Sequence, residues 1–288
     1  MSATMELKFS HPLRVDNKRP FHFIVIGAGG TGGYLIPNLA RLVTSVNAKA
    51  SSPNRITLID GDEVEEKNIT RQNFIFSDIG KNKAEVLAKR YSTAFGLEIT
   101  AFPKFLEEER ELRDIMIRHY GFPVVIGCVD NNRTRQMIYN EFLNRRYWFF
   151  WLDAGNEQYS GQVVLGYNHP YEIRRPREGM GQLPSDYFLP SVVDLYPDIF
   201  EDTEAVFNSE LSCAARAVSA PQSINANLTA ANIMMNFVAT MLTCGDNDGI
   251  RTHQVRFNTK NSVITTELNY YDEIIEKTRK SRTGASVA

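Results

Sequence analysis

The stretch "FHFIVIGAGGTGGYLIPNLARL", Phe21 to Leu42, decides how the chain is read. Phe21–Ile26 is a β-rich apolar run that stops at a glycine, the mark of a strand buried on both faces of a parallel sheet. Gly27, Gly29 and Gly32 then fall in G-x-G-x-x-G spacing. From Thr31 to Val46 the apolar residues Tyr34, Leu35, Leu39, Leu42 and Val43 recur at helical spacing. Strand, glycine loop and helix in that order form a phosphate cradle. Glycine lets the backbone approach an anion closely, and the helix N-terminus supplies free N–H groups and partial positive charge. The glycines alone are compatible with any nucleotide, or with tight packing.

The same alternation continues outward. Arg55–Asp60 reads as a second strand, Lys83–Phe95 as a helix and "LEITAFPKF" as strand-like. Glu107–His119 is an amphipathic helix and Phe122–Val129 a buried strand. Thr134–Asn144 is helical, and Trp151–Ala154 and Gln162–Tyr167 are strand-like. Strands alternating with helices predict βαβ units and a mostly parallel sheet. Periodicity fades from Asn168 to Ser212, returns in an apolar-faced helix over Asn225–Leu242, and gives way to a terminal hairpin turning at Asn258–Asn261. The expected fold is α/β: a Rossmann-like, mostly parallel sheet flanked by helices, with a long crossover loop and C-terminal antiparallel strands. The expected organisation is a lead-in over 1–20, a single domain over 21–272 with the crossover loop at 168–212, and a flexible tail over 273–288.

Composition bounds the function. With 43% hydrophobic and 23% charged residues the chain is an ordinary globular protein. A net charge of −2 without a long basic run argues against nucleic acid as partner. No apolar segment approaches the ~20 residues needed to span a membrane, and the N-terminus lacks the apolar core of a secretory signal. Cys128, Cys213 and Cys244 are scattered and form no CxxC pair, so a cytoplasmic location is expected and a four-cysteine zinc site is excluded within one chain.

The second strand ends at Asp60, where a carboxylate can bond ribose hydroxyls or cap a turn. It comes 33 residues after Gly27, later than the ~20 of the redox fingerprint. Further motifs follow in order: Asp60-Gly-Asp62-Glu-Val64 with Asn68 and Arg71-Gln72; Gly80-Lys81-Asn82-Lys83; and Asp130-Asn131 with Thr134-Arg135. Together with Gly27-Ala-Gly29-Gly30-Thr-Gly32 they resemble the ThiF/MoeB/HesA superfamily, the adenylating core of ubiquitin-activating enzymes. The resemblance is strong over Pro20–Tyr167 and looser over Cys213–Leu242.

That resemblance implies an ATP-dependent adenylyltransferase. It would activate the C-terminal carboxylate of a small ubiquitin-like (β-grasp) or sulfur-carrier-like protein, and it would be a homodimer. It casts Arg71 and Lys83 as the cations on the phosphates and Asp130 as the Mg²⁺ carboxylate. Gly27, Gly29, Gly30, Gly32, Asp60, Asp62, Asn68, Gln72 and Asn131 complete the nucleotide site. The chemistry agrees, because adenylation asks the protein to position phosphates and neutralise their charge, and Mg²⁺ takes one or two carboxylates plus phosphates. Each residue also has a structural reading: Arg71 as a surface ion pair, Lys83 as decoration of a first helical turn, Asp130 as a helix cap. Arg135 reads equally as a phosphate contact or a structural partner.

Cys213 matches the position where thioester-forming members of the superfamily carry their reactive cysteine, although the usual Cys-Thr pair is here Cys213-Ala214. A small buried thiol is the other reading. Cys128 and Cys244 read as structural. The zinc-binding CxxC pairs common in such enzymes are absent, so no zinc is expected. Two rival functions stay open: a catalytically inactive module that binds a nucleotide or a ubiquitin-like protein, and a nicotinamide-dependent dehydrogenase. The late acid and the absence of a histidine within the motifs count against the dehydrogenase.

Overall fold

The computed structural model describes residues 13, 15, 18–144, 147–168, 189–201, 223–244 and 249–268. Cys213, most of the crossover loop, most of the lead-in and the tail lie outside them.

Eight strands form one sheet: β1 (Phe21–Ile26), β2 (Arg55–Ile59), β3 (Ile99–Phe102), β4 (Phe122–Gly127), β5 (Phe150–Asn156), β6 (Ser160–Tyr167), β7 (Thr252–Asn258) and β8 (Val263–Leu268). Their spatial order is β3-β2-β1-β4-β5-β6-β7-β8. β3, β2, β1, β4 and β5 run parallel, and β6, β7 and β8 add antiparallel pairs. The expected architecture is therefore present, with the predicted hairpin turning between Asn258 and Val263.

The helices are α1 (Gly30–Asn47), α2 (Lys83–Phe95), α3 (Glu109–Arg118), α4 (Asn132–Leu143), two single-turn helices α5 (Val192–Leu195) and α6 (Asp198–Glu201), and α7 (Ile224–Thr243). Alternation along the strands builds a core on each face. Phe23 and Val25 of β1 face one way, with residues of α1, α2 and α7; Ile24 and Ile26 face the other, with residues of α3 and α4. In β5 the wholly buried Trp151 joins the second core, while Phe150 and Leu152 join the first. Both faces of the parallel strands are covered, which is why they read as unbroken apolar runs.

Strand order reverses between β1 and β4, since β1 leads outward to β2 and β4 to β5. Open α/β sheets bind ligands outside the carboxyl ends of the strands at such a switch point. The glycine loop leaves β1 there, Asp60 leaves β2, and Asp130 leaves β4.

Candidate active site

The glycine loop is set by two close approaches. Gly27 has φ +94°, a conformation that L side chains rarely adopt, and an added Cβ would lie 2.5 Å from the Cys128 carbonyl oxygen. At Gly32 an added Cβ would lie 1.9 Å from the Gly27 carbonyl oxygen. The motif thus folds back on itself, with Gly32 packed under the loop.

Asp60 both clamps this loop and faces the cleft. Its Oδ2 accepts the Ala28 N–H at 2.6 Å and its Oδ1 the Asp62 N–H at 2.8 Å. Burial pushes its carboxyl above the ordinary range, opposed by the Lys83 charge and the N–H donors. The turn-capping reading of Asp60 therefore holds alongside its place in the site.

Lys83 opens α2, where the helix dipole disfavours a cation. It is held by Asp62, whose Oδ2 accepts from Lys83 Nζ at 2.8 Å. Lys83 is itself buried, at 5% exposure, so the pair fixes a cation inside the cleft wall. Asn82 caps the same helix through its Oδ1 and bonds the Asp60 and Asp62 carbonyls through its Nδ2.

Asn68 is buried and its Oδ1 accepts the Glu65 N–H at 2.8 Å, closing a turn of 3-10 helix over Glu66–Asn68. Arg71 follows from this turn, with no ion pair among the described residues. Gln72 lies against Gly29, where an added Cβ would be 3.5 Å from Gln72 Nε2.

Asn131 caps α4, its Oδ1 accepting the Thr134 N–H at 2.8 Å. That removes the capping alternative for Asp130, which is exposed and without a hydrogen bond or ion pair among the described residues. Arg135 turns inward. Its Nε donates to Asp153 Oδ1 at 2.9 Å, and one terminal nitrogen donates to the Val129 and Ala154 carbonyls at 2.7 and 3.1 Å. Its role is structural: a buried fork that ties the ends of β4 and β5 and holds the backbone beside Asp130.

These groups border one cleft of about 1090 Å³. Gly27, Gly29, Gly30, Asp60, Asp62, Asn68, Arg71, Gln72, Lys83, Asp130 and Asn131 all line it, and Gly32 does not. Among them are three acids, Asp60, Asp62 and Asp130, and two cations, Arg71 and Lys83, and Ile59, Phe105 and Leu106 give the cleft an apolar edge. Phe105 lies over Gly61, where a Cβ would come within 2.6 Å of the ring. Among the described residues no cluster of three His, Cys, Asp or Glu side chains could hold a metal. The carboxylate of Asp130, without a partner among the described residues, fits the habit of Mg²⁺, which arrives on phosphates and adds one or two protein carboxylates.

Cys128 borders the cleft, but its Sγ lies 3.9 Å from Met234 Sδ. Burial, with the charge of Asp153, pushes its thiol above the ordinary range, as suits a core thiol. Cys244 is buried.

Three polar residues escaped the sequence reading: Thr31, Asn156 and Asn227 meet on the cleft wall. Asn156 Nδ2 donates to Asn227 Oδ1 at 2.7 Å, and Thr31 Oγ1 to the same oxygen at 3.2 Å. Asn73 escaped too: its Nδ2 reaches the Gly33 carbonyl oxygen at 2.9 Å.

A profile of the ThiF family matches residues 4–241. The chain belongs to the ThiF family. Among curated relatives of this ThiF-family chain, the tRNA threonylcarbamoyladenosine dehydratase of Haemophilus influenzae is 33% identical over 41% of the chain and 41% of its own length. The NEDD8-activating enzyme E1 catalytic subunit of Arabidopsis thaliana is 37% identical over 44% of the chain and 25% of its own length. The matched region thus spans less than half of each. The crystal structure of E. coli MccB with ATP superposes with a TM-score of 0.57 at 16% identity, covering 88% of this chain and 65% of that one, which shows the shared fold. No helix among the described residues is long and apolar enough to cross a membrane.

Proposed function

We propose that this ThiF-family chain uses ATP to adenylate a carboxylate, and that the carboxylate is the C-terminus of a small ubiquitin-like protein. The reading rests on one observation: a glycine loop at the switch point, the buried Lys83 paired with Asp62, Arg71, and an Asp130 without a partner among the described residues share one cleft. Family membership and the likeness to a NEDD8-activating enzyme support a protein carboxylate as substrate.

The base would lie against the apolar edge at Phe105 and Leu106, and Asp60 would accept from the ribose through the carboxylate lone pairs that its backbone donors leave free. Arg71 and Lys83 would hold the phosphates, the first as a fork and the second as a point charge. Mg²⁺ on Asp130 would neutralise charge on the leaving pyrophosphate. A substrate carboxylate oxygen would then attack the α-phosphorus. The new bond is carboxylate oxygen to phosphorus, and the bond that breaks joins the α-phosphorus to its bridging oxygen. No proton transfer is required, so positioning and electrostatics suffice. Cys213, outside the described residues, would next attack the acyl carbon as thiolate, expelling AMP and leaving a thioester.

ATP–pyrophosphate exchange in the presence of candidate small proteins tests this reading. Exchange should require the cognate protein and fall at least a hundredfold in Arg71→Ala and Asp130→Ala. Full exchange in both variants overturns the site assignment. A thiol-labile adduct on a non-reducing gel, lost in Cys213→Ser, would establish the second step. Protection from heat by NAD but not by ATP–Mg²⁺ would favour the dehydrogenase.

A further inference from the structure

Asn227 belongs to none of the motifs above. It reaches the cleft from the first turn of α7 and is only 2% exposed. Its Oδ1 accepts from Asn156 Nδ2 at 2.7 Å, and the Thr31 hydroxyl lies 3.2 Å from the same oxygen and 3.3 Å from Asn156 Oδ1. The Asn156 N–H sets the orientation of the Asn227 amide, because only the carbonyl oxygen can accept from it. The amide lies against Gly30, where an added Cβ would be 2.6 Å from Nδ2 and 2.9 Å from Oδ1. Nδ2 has no acceptor among the described residues. Asn227 lines the cleft, and its hydrogen bonds to neighbouring side chains hold this donor in place there. It lies beside the start of α1, whose N-cap residue Gly29 supplies no side-chain cap. The first turn of that helix offers further unpaired N–H groups.

The position of this donor selects its ligand. Asp60 clamps the near end of the glycine loop at Ala28, whereas Asn227 stands at the far end, at Gly30. Its partner Asn156 borders both the cleft and a second groove of about 530 Å³, which crosses the antiparallel strands. Gly155 and Gly161 border that groove. The amide is also neutral. A substrate carboxylate loses its charge when it becomes an acyl adenylate. A cation at this point would stabilise the starting carboxylate most and raise the barrier, whereas a neutral N–H serves both states.

We propose that Asn227 is a catalytic residue whose Nδ2 holds the non-attacking oxygen of the substrate carboxylate beside the start of α1. The other oxygen forms the bond to the α-phosphorus as pyrophosphate leaves. The held oxygen becomes the acyl carbonyl and keeps its hydrogen bond, and the amide protons stay on Asn227. This role rests on the adenylation reading above.

The test is NMR of the full chain with ¹⁵N-labelled asparagine side chains, the Asn227 pair being assigned by its loss in Asn227→Ala. The protein is saturated with α,β-methylene-ATP and Mg²⁺. It is then titrated with acetyl-glycylglycine and, separately, with the C-terminal amide of that peptide. The Asn227 signals should shift with the free acid and stay in place with the amide. An equal response to both peptides overturns the proposal, as does no response, or a shift completed by the nucleotide alone. In pyrophosphate exchange with a cognate protein, Asn227→Ala should lower kcat/KM for that protein about a hundredfold and leave the KM for ATP within twofold. An acid-specific NMR response without any exchange in the unmodified enzyme would sink the adenylation reading and spare the carboxylate contact.

Discussion

Asn73 donates its side-chain amide to the Gly33 carbonyl at 2.9 Å. That carbonyl is the acceptor that Pro37, four residues on in α1, cannot serve because proline has no N–H. The same Nδ2 lies 2.8 Å from Tyr91 Oη, and Arg90 bonds the Asn73 carbonyl. A break inside the glycine-loop helix has thus become the anchor for the segment that carries Arg71 and Gln72. Asn73→Ala should cost about 1–2 kcal/mol, since it leaves a partly buried carbonyl unpaired. It should also loosen Arg71 and lower exchange more than tenfold. A normal melt with normal exchange would show that the anchor is dispensable.

Asp130 and Asn131 are neighbours with opposite expected signatures. Asp130 is exposed and unpaired among the described residues, so Asp130→Ala should leave the melting temperature within a degree or so while abolishing Mg²⁺-dependent exchange. Asn131 caps α4, so Asn131→Ala should cost about 1 kcal/mol in denaturant unfolding and keep measurable exchange. Reversed signatures would assign the metal role to the wrong residue.

Gly30 and Gly32 separate in the same way. A Cβ at Gly32 collides with backbone, the Gly27 carbonyl at 1.9 Å. Gly32→Ala should therefore destabilise by more than about 4 kcal/mol or prevent soluble expression. At Gly30 the obstacle is a side chain, Asn227. Gly30→Ala should fold, displace that amide and lose exchange; a soluble, fully active Gly30→Ala would contradict this.

His22 makes acid stability measurable. It is wholly buried in β1, with Nε2 2.7 Å from Thr57 Oγ1. Burial lowers its pKa from 6.5 to about 4, helped by the charges of His119 and Arg55. Between those values the unfolded chain binds a proton that the folded chain refuses. Stability is therefore full above about pH 6.5 and falls as the pH drops toward 4, by up to about 3 kcal/mol. Urea midpoints at pH 7.5 and 4.5 should converge more closely in His22→Gln than in the native chain. An unchanged gap would mean that His22 titrates normally.

Much of this was legible beforehand because it is local. The strand–glycine–helix order needs only hydrophobic period and backbone freedom, and α2 begins and ends where its periodicity does. Asp60 and Asp130 follow strand ends, Arg71 and Lys83 lie on the connection that leaves β2, and parallel strands bring their ends together on one edge. Arg135 shows the limit: beside Asp130 in sequence it could face a phosphate or the core, and its partner Asp153 lies on another strand.

The sequence by itself determined the α/β class, the parallel order of the first strands and the family, since those depend on periodicity and on motifs in fixed sequence. Only the tertiary structure decided which polar residues share a wall. Asn227 meets Thr31 across 196 residues and Asn156 across 71, and Asn73 meets Gly33 across 40. An amide is too common a group to announce a partner so distant. Its meaning appears only when packing has removed water, fixed which end accepts, and left the other end facing the cleft.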